Sequence, residues 1–248
     1  MKLVLGPLVI VLLCASDAIS EVFETRDDFS MTLPNGWAEA PPEALRDLES
    51  KINQVSDGAI EQHFDYGYQR SSANTWFEYP YILVQVKKGG RVREGQLTQY
   101  EKVQASLREG MEKGEESLSA VVSDITQGDT LYDEINHILW SAFTMNVQGV
   151  GEVRGLIGIK LTEFGFIQVA GYATESTFGQ YSPIFSEAVR TLNIAEKYKY
   201  QPRLTDHAPT VWGINLGETA IAGLFGGIAG GVIGLITYLR KKKKRPGT

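Results

Sequence analysis

Three histidines, His63, His137 and His207, are the only imidazoles in the chain, so any metal or general-base chemistry has few places to sit. Glu134-Ile135-Asn136-His137 has the Glu-x-x-His spacing. On a helix it sets two ligands on one face, and di-iron bundles use two copies of it. Here it occurs once, inside a run that alternates like a strand, where these two positions point to opposite faces. His137 falls with Ile135 and Leu139, which predicts a hydrogen-bonded, partly buried side chain rather than a ligand. His63 and Asp65 share a strand face and read as a solvated edge pair, and His207 falls in a polar stretch. The sequence holds no Gly-x-Ser-x-Gly, no His-Glu-x-x-His and no Gly-x-x-x-x-Gly-Lys, the spacings that nucleophile elbows, zinc proteases and phosphate loops require. Asp27-Asp28, Glu115-Glu116 and Asp133-Glu134 read as solvated faces or strand ends. No catalytic, cofactor-binding or metal-ligating residue is assigned, and no cofactor is expected.

Binding character is concentrated in aromatics. Tyr66, Tyr68, Trp76 and Tyr79 form a candidate binding face, since rings with polar tips are favoured at recognition surfaces. They are equally at home in a sheet. A pocket gathering His63 or His137 with two carboxylates would favour an enzyme; an exposed aromatic face without such a cluster would favour a binding module.

The elements that position these residues alternate between strands and helices. Residues 22–33 alternate as one half-buried strand, closed by Leu33-Pro34-Asn35-Gly36-Trp37, with Trp37 folding back on the core. Pro41-Pro42 opens a helix carrying Leu45, Leu48, Ile52 and Val55, which Asp57-Gly58 ends. Tyr81-Ile82-Leu83-Val84-Gln85-Val86 is nearly continuous apolar sequence, the pattern of a central strand. Leu97, Tyr100, Val103, Leu107 and Met111 mark a second helix, with 110–119 as its frayed end or a loop. Residues 131–147 read as one long strand, with Ile135, Leu139, Phe143 and Met145 on one side. Residues 155–161 and 164–173 read as a hairpin, and Ser182-Pro183 as the start of a last helix with Phe185, Val189 and Leu192 inward. Strand-next-to-strand order with helices between predicts an α+β fold. Its form is a mostly antiparallel sheet with helices packed on it, an α/β/α sandwich, plus one C-terminal transmembrane helix.

That helix is the strongest signal in the chain. Residues 219–239 carry no charge and are followed by Arg240-Lys241-Lys242-Lys243-Lys244-Arg245. About 20 apolar residues suffice to cross a bilayer, and the basic cluster places that end in the cytoplasm. Residues 1–20 have the layout of a cleavable signal peptide. The expected order is signal peptide 1–20, extracytoplasmic domain 21–194, juxtamembrane tether 195–217, transmembrane helix 218–239 and basic cytoplasmic tail 240–248. The expected location is thus a single-pass membrane protein with its domain periplasmic or extracellular. Gly223, Gly227 and Gly231, and likewise Gly226, Gly230 and Gly234, recur every four residues, a spacing that lets a second helix approach closely. The expected partners are membrane lipid and, through this glycine face, another membrane protein or a second copy.

Between residues 21 and 218 there are 29 acids and 17 bases, a net charge of −12, which disfavours nucleic acid. Cys14 is the only cysteine and leaves with the signal, so disulfides and thiolate sites are excluded from the mature chain.

The opening Leu33-Pro34-Asn35-Gly36-Trp37, the hairpin ending near Ala173, and the closing Tyr181-Ser182-Pro183-Ile184-Phe185…Leu192-Asn193-Ile194 resemble the Mog/PsbP-like family of α/β/α sandwich domains. The resemblance covers about residues 22–194. It implies a binding or assembly role without catalysis and carries over no functional residue. The expected function is a membrane-anchored extracytoplasmic accessory module acting in assembly or maintenance of an envelope membrane complex. The alternatives are a membrane-tethered hydrolase or metal-dependent enzyme, and a structural oligomer built on the transmembrane glycines.

Overall fold

The computed structural model describes residues 20–60, 62–97 and 100–207. The expected signal peptide, the transmembrane helix with its glycines Gly223, Gly226, Gly227, Gly230, Gly231 and Gly234, the basic tail and the last part of the tether lie outside them. Among the described residues no helix is long and apolar enough to cross a membrane.

Seven of the described strands form one antiparallel sheet in the order β3 (Trp37–Glu39), β4 (Tyr66–Arg70), β5 (Tyr81–Lys87), β9 (Gly165–Thr174), β8 (Gly151–Thr162), β7 (Ile138–Val147), β6 (Val122–Asp133). A second, three-stranded sheet has the order β1 (Ser20–Glu24), β2 (Phe29–Pro34), β10 (Asn193–Ile194). Helices α1 (Pro42–Val55) and α3 (Tyr100–Ser117) belong to one face of the large sheet, and α2 (Glu94–Leu97) is a single short turn. Helix α4 (Glu175–Arg190) and the small sheet cover the other face. Alternation along the strands creates two cores. Tyr81, Leu83, Ala170, Tyr172, Leu139, Phe143 and Met145 face α1 and α3. Ile82, Val84, Ile167, Val169 and Ile138 face α4 and the small sheet. The mixed, antiparallel α+β architecture is therefore the one expected.

Close approach of α4 depends on two glycines. A Cβ on Gly171 would lie 2.2 Å from the ring of Phe185, and one on Gly158 would lie 2.7 Å from Val189. In α1, Leu45, Leu48 and Ile52 are buried, and the left-handed residues Asp57 and Gly58 follow its last turn.

Several boundaries differ from expectation, each for a local reason. Residues 22–33 are two strands, because Asp28 adopts φ 60° and reverses the chain between β1 and β2. Residues 131–147 also divide. The Asp133 carboxylate accepts from the backbone N–H groups of Ile135 and Asn136 at 3.1 and 3.0 Å, His137 adopts φ 53°, and β6 turns back into β7. This Asx turn carries Ile135 away from the core side it was expected to share with Leu139, and it is 88% exposed. Helix α3 runs through the stretch expected to fray, with Gly110 and Gly114 on the buried side alongside Leu107 and Met111. Helix α4 begins at Glu175, so Pro183 lies inside it rather than at its first turn.

Candidate functional site

The sheet register sets which loops meet. Lys87 pairs with Phe166, Thr162 with Gly165, Lys160 with Ile138, and Ile138 with Asp133. One end of the sheet therefore gathers the segment after β5, the β8–β9 turn and the β6–β7 turn. Across this end lies the segment 195–207, the first half of the expected tether. It is docked rather than free: Glu163 donates its N–H to the carbonyl of Tyr198 at 3.0 Å, Thr162 bridges Lys199, and Tyr200 is buried.

Arg91 holds that segment. Its Nε donates to Glu163 at 2.9 Å, its Nη1 and Nη2 reach both oxygens of Asp206, and Nη2 also donates to the carbonyl of Gln201 at 2.7 Å. The guanidinium lies 4.4 Å from the centre of the Tyr200 ring. Asp206 further accepts from the Arg203 N–H at 2.7 Å and the Tyr200 hydroxyl at 3.2 Å, while Arg203 reaches back to Glu163. The Asp206 side chain is 1% exposed and that of Arg91 13%. Such a two-pronged arginine–carboxylate pair is both strong and directional. The hydrogen bonds from Arg91 hold the Asp206 carboxyl well below the usual carboxylate range. Burial pushes Glu163 up, but the bonds from Arg91 and the Gln201 N–H outweigh it and leave its carboxyl below the usual range. Burial pushes the Tyr200 hydroxyl up to about 12, so it stays a donor.

A second set of bonds continues from Tyr200. Its hydroxyl accepts from the Glu94 N–H at 2.9 Å; the Glu94 carboxylate accepts from the Tyr132 hydroxyl at 2.9 Å and lies 3.2 Å from His137 Nδ1. The His137 ring packs against Tyr200 with centroids 5.1 Å apart. His137 is thus partly buried and hydrogen-bonded, as its spacing predicts, although it lies in a turn and not on a strand. Glu94, Tyr132, Tyr200, Arg91 and Asp206 were not singled out from sequence; Arg91 sat in an unpatterned stretch and Asp206 in the expected tether.

Beside this network, the β6–β7 turn and the C-terminal half of α4 border an open groove of about 660 Å³. Leu131, Ile135, Trp140 and Leu156 supply its apolar lining, with Arg190 placed 5.6 Å from the Trp140 ring.

The candidate aromatic face is not one exposed surface. Tyr66 and Tyr68 are buried on the side of the small sheet, and the Tyr66 hydroxyl donates to Asp27 at 2.6 Å. Trp76 and Tyr79 are half-buried and pack against the opposite core. Asp27, expected to be solvated, also pairs with Lys88 at 2.7 Å. His63 stands with its Nδ1 3.0 Å from Glu49 and its Nε2 3.6 Å from Asp65, on an exposed side chain. Among the described residues no group of three or more His, Cys, Asp and Glu is arranged to hold a metal ion.

The described residues thus form a mixed α+β fold built on antiparallel sheets, with the segment 195–207 clamped to one end of the large sheet. This fold is loosely similar to the solution structure of cyanobacterial PsbP (CyanoP) from Synechocystis sp. PCC 6803. The likeness covers 77% of this chain and 98% of that one, at 11% sequence identity and a TM-score of 0.49. No family model matches the sequence, and no curated protein matches it.

Proposed function

We propose that this protein is a membrane-anchored extracytoplasmic accessory module, without catalysis, that assists assembly or maintenance of an envelope membrane complex. The observation that carries the reading is the Arg91 clamp. The segment leading to the apolar run is built into the domain, leaving only the eleven residues 208–218 between His207 and Thr219. Fully extended, such a linker spans at most ~40 Å, against roughly 80 Å for a tether starting at Ala195. A short linker confines the domain to the bilayer surface and raises its effective concentration for partners there. The groove bordered by Leu131, Trp140, Leu156 and Arg190 offers such a partner apolar lining beside a charge. The glycine-faced segment 223–234 supplies a second contact, to a membrane protein or another copy.

Co-purification in mild detergent tests the reading. The full chain retains a membrane partner that a chain ending at His207 loses; recovery of an identical partner set by both, or of none by either, contradicts it. Replacing Gly227 and Gly230 with isoleucine weakens crosslinking in membranes if the glycine face pairs helices.

The hydrolase or metal-enzyme alternative has one observation in its favour, the meeting of His63 with Glu49 and Asp65. Both carboxylates are already engaged with backbone, Glu49 accepting from the Phe64 N–H and Asp65 from the Val86 N–H, each at 2.7 Å. The imidazole between them lies on open surface. These contacts support a structural staple between α1 and the start of β4.

A further inference from the structure

We infer that the clamped end of the domain is seated in the membrane interface, with Ile135 and Leu204 inserted among the lipid headgroups of the leaflet that receives the chain. The inference rests on the anchored reading above and adds to it an orientation and a contact surface.

Large apolar side chains exposed singly are ordinary on soluble proteins and need no explanation. Their placement here is what matters. The large hydrophobic residues most exposed among those described are Leu204, at 100%, and Ile135, at 88%, followed by Leu131 at 61%. All three lie at one end of the sheet. Ile135 tips the β6–β7 turn, two residues from His137, whose ring packs on Tyr200. Leu204 lies in the short 3-10 turn Leu204–His207, between Arg203 and Asp206, which close the clamp on Arg91 and Glu163. Both tips therefore lie near His207, the last described residue before the uncharged run 219–239. The linker that follows is short, so this end faces the bilayer more readily than any other.

The backbone under each tip is fixed in a way that suits insertion. Asp133 holds the turn beneath Ile135 through two backbone N–H groups. Asp206, held by Arg91, does the same beneath Leu204 through the Arg203 N–H. A preorganised apolar tip loses little further freedom when it enters the interface. Charges around the tips are mixed: Arg203 and Lys199 are half-exposed, and Glu134 is exposed. Insertion is accordingly apolar and does not depend on anionic lipid.

The opposite end of the sheet provides the control. The β7–β8 turn carries exposed Gln148, and the register places it at the far end of the strands from Ile135. The full chain, with Cys14→Ser, is reconstituted in vesicles of zwitterionic phosphatidylcholine. An environment-sensitive fluorophore is placed on Ile135→Cys, Leu204→Cys or Gln148→Cys. At 135 and 204 the emission shifts to the blue and is lost to a lipid-borne quencher, unchanged in high salt; at 148 neither occurs. Water-like emission at all three positions, with the chain still in the vesicle fraction, overturns the inference while leaving the anchored reading intact. A chain that does not partition with the vesicles overturns both. Quenching at 148 as strong as at 135 contradicts the orientation. Emission that shifts with protein density but ignores the lipid quencher assigns the tips to contact between copies, and this too overturns the inference.

Discussion

Two regions of the large sheet are held by opposite materials. Where β5 begins, Tyr81, Tyr172, Gly155 and Phe143 lie in register across four strands; the Tyr81 and Tyr172 rings meet tilted at 5.0 Å and the Phe143 ring meets Tyr172 edge to face at 6.2 Å. Gly155 leaves the space that the Phe143 ring fills, since a Cβ there would lie 2.2 Å away. Where β5 finishes, the closing groups are Arg91, Glu163, Asp206, Glu94, Tyr132 and His137. An apolar row gains stability from burial and tolerates small shifts. A bidentate ion pair fixes one geometry and penalises every other. The first region keeps strands together, whereas the second fixes Asp206, 115 residues from Arg91, in one place. Directional bonding is concentrated where residues 195–207 dock.

Two substitutions of similar cost separate these roles. Phe143→Ala removes a buried ring and destabilises by about 3–5 kcal/mol, with strands and C-terminal segment lost together in thermal unfolding. Arg91→Ala leaves Asp206 buried and unpaired, at a cost of about 3–5 kcal/mol. Limited proteolysis then cuts within 195–207 while the sheet remains folded. If both variants lose the segment and the sheet at the same temperature, the two regions are not distinct in function. Gly171→Ala forces the Phe185 ring to move and lowers stability by about 1–3 kcal/mol, without exposing 195–207 to protease.

Acid sharpens the comparison with a smaller effect. The Asp206 carboxyl is held below its ordinary value of 3.8 in the folded chain. Its contribution is therefore complete above that value and is lost as pH falls through the lower, folded one. Wild type loses stability more steeply than Asp206→Asn between roughly pH 5 and 2, as denaturant titrations at each pH measure. Equal slopes would mean that the clamp carries no charge-dependent stability. The smallest expected effect belongs to Ile135→Ser, a surface change of within about 0.5 kcal/mol. It leaves the melting temperature unchanged while weakening contact with lipid.

Elements with strong periodicity were legible in the sequence. The apolar run 81–86 is a central strand, the 3–4 spacing of Leu45, Leu48 and Ile52 is a buried helix face, and the hairpin about 162–165 has its expected turn. Turns centred on aspartate rather than on glycine are not legible in the alternation. Asp28 at positive φ and Asp133 accepting from two backbone groups each divided what alternation presented as one strand. The polar stretch 110–119 reads as a frayed end or loop, yet it is helical because Gly110 and Gly114 lie on the packed side of α3. The clamp is illegible because Arg91, Glu163 and the segment 195–207 are three distant stretches that only the register brings together. Within 195–207, Tyr200 and Asp206 are too widely spaced to form a periodic pattern, and polar composition alone reads as linker. The expected aromatic face failed for a related reason. Alternate positions on β4 share a face, but alternation does not say that the small sheet covers it.

Hydrogen exchange on the full chain tests the clamp most directly. The N–H groups of Tyr198, Gln201, Arg203 and Asp206, bonded to Ala195, Glu163, Asp206 and Arg203, should exchange slowly in wild type. In Arg91→Ala they should become fast, while β5 and β9 remain protected. Exchange of these four amides at open-loop rates in the wild-type chain would contradict the account, because residues 195–207 would then be a free tether and not part of the folded domain.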